Sequence, residues 1–238
     1  MPERVMEELP IHTLIFEENR EGGLLLCGIN HGYSKDDARQ DAAGIDRSDS
    51  HKSFFSDSEV NDYPFRNRIV SWFELWGYEL ARSKQLAGEF ERSIIQTNWL
   101  QTCSSNVHGM NTQRACIEDH ESFLETCSAL KPGTIFFFGQ GLLRAFTSPA
   151  LTPKVETIFG ARAGEIQWLQ KDVYCNGKRR RRFRFGFQQY EELAVVVLPH
   201  ATGAQGIASD YIAAFKLEMS GIIDGWWAKH EEALKRQS

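Results

Sequence analysis

The chain lacks the features that build cysteine-based or membrane-spanning proteins. Its five cysteines are odd in number and widely spaced, and none forms a Cys-x-x-C pair, so neither a zinc ribbon nor a dithiol redox motif is expected. The longest apolar runs, 193–198 and 211–215, are far shorter than the roughly 20 residues of a transmembrane helix. Residues 1–9 carry charges of both signs and no apolar core, unlike a signal peptide. We therefore expect a cytoplasmic, intracellular protein with reduced thiols, no metal and no membrane partner.

Composition places the chain among ordinary globular proteins. It has 238 residues, 42% of them hydrophobic and 25% charged, with a formal net charge of −5. These values exclude disordered, collagenous and coiled-coil chains, and the length favours a single domain over residues 1–238. The bulk charge gives no sign of nucleic-acid binding, although a net charge does not describe a local patch.

Short apolar runs without strict alternation predict four strands buried on both faces, at residues 23–27, 93–96, 134–138 and 193–198. Helical patterns cover 69–80, 112–130, 139–146 and 205–234, the last broken near Gly221. Segments 163–173 and 179–188 predict a β-hairpin, because the Asn176-Gly177 pair between them favours a type I′ turn. The polar residues 34–62 predict a long loop. The expected fold is α/β: a three-layer α/β/α sandwich with a mostly parallel four-stranded sheet and an inserted β-hairpin.

Polar residues and glycines follow each predicted strand. In an open α/β sheet ligands bind beyond the carboxyl ends of the strands, here at residues 28–33, 97–99, 139–141 and 199–203. These segments hold two asparagines and two histidines but no carboxylate and no lysine, which argues against metal-assisted hydrolysis and carboxylate-pair chemistry. There is no Gly-Lys-[Ser/Thr] phosphate loop and no complete dinucleotide fingerprint. An asparagine offers a donor and an acceptor side by side, so a flat polar ligand such as a nucleobase suits the set.

Several short motifs, in order, resemble the uracil-DNA glycosylase superfamily. Residues 26–32 read Leu-Cys-Gly-Ile-Asn-His-Gly, close to the Gly-Ile-Asn-Pro-Gly motif of its mismatch-specific branch, with His31 in place of the proline. Residues 195–202 end a strand in Pro-His-Ala-Thr, which keeps the histidine of the family's last motif but not its Pro-Ser. Segments 54–56 and 63–68 are similar to the family's stacking-phenylalanine region, and 131–139 to its central strand element.

The resemblance implies hydrolysis of the N-glycosidic bond of uracil or another deaminated base flipped out of DNA, without a cofactor. Asn30 would position the attacking water, since an asparagine cannot act as a general base. His200 would donate a hydrogen bond to the departing base. Asn98 would bind the edge of the base, and Phe55 would stack on its face. Ile29 and Gly28 would also contact the base. The pocket would include His31, Gly32 and Tyr33.

Two alternatives remain open on the same fold. A binding module would keep the pocket and recognise a base or modified nucleotide without cleaving it. The absent catalytic carboxylate and the altered last motif favour that interpretation. An interaction protein with a vestigial pocket is the other alternative.

A basic run over residues 178–184 is the sharpest local charge feature of the sequence. Five consecutive basic residues and Arg184 are interleaved with phenylalanines at 183, 185 and 187. On a strand, Arg180, Arg182 and Arg184 would share one face and could hold a DNA backbone. The alternative is a solvated hairpin flank whose arginines pair with the acidic residues that are in excess in this chain.

Overall fold

The computed structural model describes residues 13–16, 21–32, 39, 42–44, 64–81, 84–101, 103–104, 111–202, 204 and 206–237. The predicted loop over 34–62 lies outside this part apart from 39 and 42–44. The strands are β1 (Leu24–Gly28), β2 (His31–Gly32), β3 (Ile94–Asn98), β4 (Cys103–Ser104), β5 (Thr134–Phe138), β6 (Arg162–Leu169), β7 (Tyr174–Cys175), β8 (Lys178–Arg179), β9 (Phe185–Tyr190) and β10 (Ala194–Leu198).

Helices cover both faces of the central sheet. They are α1 (Pro64–Trp76), α2 (Glu89–Arg92), α3 (Thr112–Glu118), α4 (Glu121–Leu130), α5 (Gln140–Phe146), α6 (Thr152–Phe159), α7 (Ser209–Ala213) and α8 (Lys216–Gln237), with a 3-10 turn at Lys84–Leu86. Side chains of α1, α7 and α8 form one apolar core with the sheet, and those of α3 to α6 form a second on its other face. Among the described residues, no helix combines the length and the apolar character that crossing a bilayer requires.

The α/β class and the mostly parallel sheet are confirmed, but the predicted strand number is wrong. The central sheet has six strands in the order β3-β1-β5-β10-β9-β6. The first four are parallel, as predicted, and β9 and β6 add two antiparallel strands. The hairpin arms join the sheet because the chain reverses tightly after β9, where Tyr190 N–H donates to Leu193 C=O at 2.8 Å.

The tip of the hairpin forms a separate two-stranded sheet of β7 and β8. Asn176 and Gly177 connect these strands with φ angles of 51° and 71°. Both values are positive, as a type I′ turn requires. The predicted hairpin and its turn are therefore confirmed.

Two predicted helices are each divided in the structure. The pattern over 112–130 splits between α3 and α4 at Asp119 and His120. The carboxy-terminal helix breaks between α7 and α8 at 214–215, whereas the prediction near Gly221 is wrong. Phe215 stacks on Phe185 with ring centroids 3.8 Å apart, and Lys171 Nζ donates to the Ala214 carbonyl at 2.6 Å. These contacts come from elsewhere in the chain, so no local pattern reveals them.

Two glycines allow a matched test of packing in the sheet and in α8. A Cβ atom on Gly186 in β9 would lie 2.7 Å from Val197 Cγ1 and 2.8 Å from Trp168 Cζ3, whereas one on Gly225 in α8 would meet no atom within 4 Å. We expect Gly186→Ala to destabilise the protein by about 1–3 kcal/mol through overpacking. Gly225→Ala should stabilise it by about 0.5–1 kcal/mol, because alanine is the better helix former. Urea denaturation measures the change in stability of both variants. Equal changes in the two variants would contradict this packing.

Candidate functional site

The ends of the four parallel strands lie side by side and present one face to α1. Gly28 pairs with Asn98, and Leu198 pairs with Phe138. Side chains alternate along a strand, and the alternate residues Leu24 and Leu26 point into the α1 core, so Gly28 belongs to the same face. The chain runs from β1 to β3 on one side and then to β5 on the other. Such a reversal point is where open α/β sheets bind ligands.

The amide of Asn98 lies directly across Gly28. A Cβ atom at Gly28 would be 2.2 Å from Asn98 Oδ1, so only a glycine leaves room for this side chain. Asn98 is buried. The next residue anchors the strand end, since the Trp99 ring stacks on Phe123 at a centroid distance of 4.2 Å and its Nε1 donates to the Cys116 carbonyl at 3.0 Å.

Phe65, in the first turn of α1, lies close to the other residues of the site. Its Cζ would be 3.9 Å from a Cβ atom at Gly28. Its ring centroid lies 5.0 Å from that of Phe138 and 6.1 Å from that of His200. Sequence reasoning missed this aromatic as a site residue and chose Phe55, which lies outside the described residues. The sequence contains one signal for the position of Phe65, which is the proline before it. Proline is favoured at the first position of a helix, so Pro64 places Phe65 in the first turn.

His200 follows β10 by two residues and is half-buried. Burial lowers the pKa of its imidazole below the ordinary value, so the ring is neutral at pH 7. A neutral imidazole has one N–H donor and one acceptor nitrogen. The Thr202 hydroxyl lies 3.4 Å from Nδ1.

The turn after β1 remains hydrogen-bonded to the segment after β3. Leu100 N–H donates to Ile29 C=O at 2.8 Å, and His31 and Gly32 in β2 pair in parallel with β4. Ile29 is buried, and its Cδ1 would be 3.5 Å from a Cβ atom at Gly139. Asn30 lies between Ile29 and β2 in the chain and is half-buried.

The structure thus brings Gly28, Asn98 and His200 together around Phe65, and Ile29 adjoins Gly139. Asn30, His31 and Gly32 follow β1 at the same sheet edge, while Tyr33 lies outside the described residues. The chemical roles assigned to these residues stay predictions. The arrangement offers an aromatic face, a buried amide and a neutral imidazole, which are groups that a flat heteroaromatic ligand can use.

The basic run differs from its predicted form. Residues 180–184 form no strand but an irregular segment between β8 and β9, so the expected alternation of arginines is wrong. Arg180 pairs with Asp210 at 3.0 Å and Arg182 with Asp172 at 3.6 Å. The guanidinium of Arg184 instead lies over the Trp168 ring, 5.9 Å from its centroid. Two of the three arginines that were predicted to bind a DNA backbone therefore form ion pairs, as a solvated hairpin flank would.

This segment nevertheless flanks the candidate site. Because β9 is antiparallel to β10 and Gly186 pairs with Val197, the start of β9 lies at the carboxyl end of β10. The Arg181 side chain approaches the loop that carries His200, with its Cδ 3.7 Å from a Cβ position on Gly206. Cationic side chains thus border the strand ends.

Three of the cysteines are buried in the core. Burial raises the pKa of the Cys27 and Cys127 thiols and brings that of Cys116 to about 12, so all three are protonated at pH 7. Among the described residues, no three His, Cys, Asp or Glu side chains are grouped so that they could hold a metal ion.

A surface groove lies along β6 and β9, beside α8. Its lining includes Gln167, Phe187, Gln189 and Ala194, together with Ile222 from α8. Ala194 begins β10 and pairs with Gln189, whereas His200 follows the end of that strand. None of the residues that line the groove belongs to the segments that follow the four parallel strands. We therefore place the candidate site at the strand ends and not in this groove.

A second histidine with a lowered pKa, His230, predicts that stability depends on pH. His230 stacks on Trp226, and its Nε2 lies 2.9 Å from Ser93 Oγ. Burial lowers the pKa of both His230 and His200, so below pH about 6.5 the unfolded chain takes up protons more readily than the folded protein. The contribution of these two histidines to the free energy of unfolding should be level above that pH and fall below it, by at most about 1.4 kcal/mol per pH unit for each proton.

Urea denaturation between pH 5 and 8 measures this dependence. His230→Gln should reduce the slope below pH 6.5, because one of the two imidazoles with a lowered pKa is gone. A slope identical to that of the wild type would contradict a contribution from His230.

Comparisons with known proteins give no assignment. No protein-family model matches this chain, and no curated protein shows significant similarity to it.

Proposed function

We propose that this protein is a DNA glycosylase of the uracil-DNA glycosylase type, hydrolysing the N-glycosidic bond of uracil or another deaminated base flipped out of DNA. The observation that carries the proposal is the cluster of Asn98, Phe65 and His200 around Gly28 at the reversal point of the parallel sheet. The motif order in the sequence is the second support.

Base recognition is assigned to the amide and the aromatic ring. Asn98 is buried and lies against Gly28. Its amide reads a base edge through one donor and one acceptor. Phe65 is half-buried, and in this proposal it takes the stacking role first given to Phe55.

Bond cleavage is assigned to His200 and Asn30. As the glycosidic bond breaks, negative charge grows on the departing base, and the neutral His200 ring donates a hydrogen bond to the base oxygen that receives it. Asn30 orients the water that attacks the sugar carbon, and this water loses its proton to solvent. Orientation of this kind replaces general-base catalysis, which contributes ~10²–10⁴-fold where it operates.

A non-catalytic base-binding module is the second candidate function. One observation favours it: residues 28–32, 98–101, 139–141 and 199–202 contain no carboxylate. Such a module would use Asn98 and Phe65 as described above but release no base.

The deciding experiment is base release from single- and double-stranded oligonucleotides carrying uracil, hypoxanthine or xanthine. Release by the wild-type protein that Asn98→Ala abolishes would support the glycosylase. If no substrate is cleaved by the folded protein but free bases bind in an Asn98-dependent manner, the binding module is the better description. If the folded protein neither releases nor binds a base, both candidate functions are refuted.

A further inference from the structure

We propose that the hairpin positions His200 by holding α7, the short helix that follows the histidine loop (residues 199–208), and that Arg180 and Tyr211 are the positioning residues. The reaction in which His200 takes part is that of the proposed function, on which this inference rests. The connection from the hairpin to the histidine loop rests on contacts between parts of the chain that are distant in sequence.

The histidine loop is a series of turns that ends at α7. Ala204 N–H donates to the His200 carbonyl at 3.0 Å, and Ile207 N–H donates to the Ala204 carbonyl at 3.4 Å. The Ala208 carbonyl then accepts from Tyr211 N–H, in α7, at 3.1 Å. Chains of hydrogen bonds and packed groups of this kind carry energetic coupling between separate parts of a protein. A displacement of α7 should therefore reach His200.

An ion pair joins the hairpin to the first turn of α7. Arg180 Nε donates to Asp210 Oδ2 at 3.0 Å, and the two side chains are 41% and 35% exposed. The backbone of Arg180 is fixed within the hairpin, since its N–H donates to the Val173 carbonyl at 2.8 Å. Salt screens a pair with this exposure, so this contact should weaken as the ionic strength rises.

The hydroxyl of Tyr211 makes a second contact between α7 and the hairpin. It donates to the Phe183 carbonyl at 2.6 Å and accepts from Lys171 N–H at 3.2 Å. Lys171 follows β6 and Phe183 precedes β9, so one oxygen atom joins both arms of the hairpin to α7. The contact involves no charged side chain and Tyr211 is buried, so it should depend little on salt.

The other side of α7 contacts the helix that carries Phe65. Trp76 Nε1 donates to the Ile212 carbonyl at 3.1 Å, and both Trp76 and Phe65 belong to α1. The short helix α7 is thus held between the hairpin and α1. Because the ring centroids of Phe65 and His200 are 6.1 Å apart, loosening the hairpin side should displace His200 relative to Phe65.

Amide hydrogen exchange, measured by NMR on the full chain, tests the connection without a substrate. In Tyr211→Phe the exchange rate of the Ala204 amide should rise about fivefold, the effect of roughly one net hydrogen bond. In Arg180→Gln it should rise about twofold to fivefold, the range of an exposed ion pair, and this increase should disappear at about 1 M salt. The Leu100 amide, which donates to the Ile29 carbonyl beyond β3, should keep its exchange rate in both variants.

Arg179→Gln is the matched control for the ion pair. Arg179 pairs with Asp172, which lies on the hairpin itself, so its loss should leave the exchange rate of the Ala204 amide unchanged. Arg180→Gln and Asp210→Asn remove the same ion pair, so their effects on this exchange rate should not add in the double variant.

The kinetics of base release separate positioning from binding. Tyr211→Phe and Arg180→Gln should each lower kcat by roughly fivefold to tenfold, with little change in KM. This loss is smaller than the roughly 10²-fold of a 1 Å misplacement, because one of the two contacts remains in each variant. A rise in KM at constant kcat would contradict a positioning role.

Unchanged exchange of the Ala204 amide in both variants would overturn the proposal. Equal increases at Ala204 and Leu100 would also overturn it, because they would indicate a general loss of stability. Amide exchange requires no base release. An inactive wild-type protein would therefore refute the proposed function, while the exchange rates would still decide whether the hairpin holds the histidine loop.

Discussion

Replacing His200 by alanine is expected to lower the rate of base release by roughly 10²–10³-fold, the usual effect of removing one donor that stabilises growing negative charge. Burial lowers the pKa of this imidazole, so in the proposed reaction it donates as a neutral group at pH 7. The donor acts on charge that forms only as the bond breaks. The loss should therefore fall on kcat, with little change in KM, and single-turnover kinetics with a uracil oligonucleotide would measure it.

Two variants control this result. His200→Gln keeps an N–H donor and should retain more activity than His200→Ala. His120→Ala removes a histidine at the start of α4, whose Nδ1 lies 2.9 Å from the Ile117 carbonyl oxygen, and should leave kcat unchanged. A rise in KM with constant kcat in His200→Ala would assign this residue to ground-state binding, and equal activity in all variants would remove it from the site.

The parallel part of the sheet could be predicted because its strands are continuous apolar runs. The structure places β5 at the predicted 134–138 and starts β10 one residue after its predicted start. The two antiparallel strands were predicted as a hairpin, but their joining the central sheet was not, because it depends on the tight turn after Tyr190. The break before α8 depends on Phe215 stacking on Phe185, thirty residues away.

The site was predictable only in part, for a similar reason. Strand ends are visible in the sequence, and Gly28, Asn98 and His200 were all chosen from them. Phe65 contacts the cluster because α1 lies across that face of the sheet, which periodicity within α1 does not reveal. The pairing of Arg180 with Asp210 likewise joins residues thirty positions apart.

The contact between Gly28 and Asn98 gives the second large expected effect. In Gly28→Ala the new methyl group would lie 2.2 Å from Asn98 Oδ1, so the amide must move by about 1 Å to reach van der Waals distance. Misplacement of that size in a positioned group lowers rates by roughly 10²-fold. The substitution should also destabilise the fold by about 1–3 kcal/mol through overpacking. Both effects are measured on the purified variant, by base release and by urea denaturation.

The double variant separates a specific displacement from general damage to β1. Phe65 Cζ is 3.9 Å from the Gly28 Cβ position, which is ordinary contact, so Asn98 causes the clash. In an Asn98→Ala background that clash is gone, and Gly28→Ala should then cost little further stability. Residues in direct contact show such non-additivity, whereas independent ones do not. If the two stability losses simply add, the amide does not lie across Gly28, and its assignment to the base edge loses its structural support.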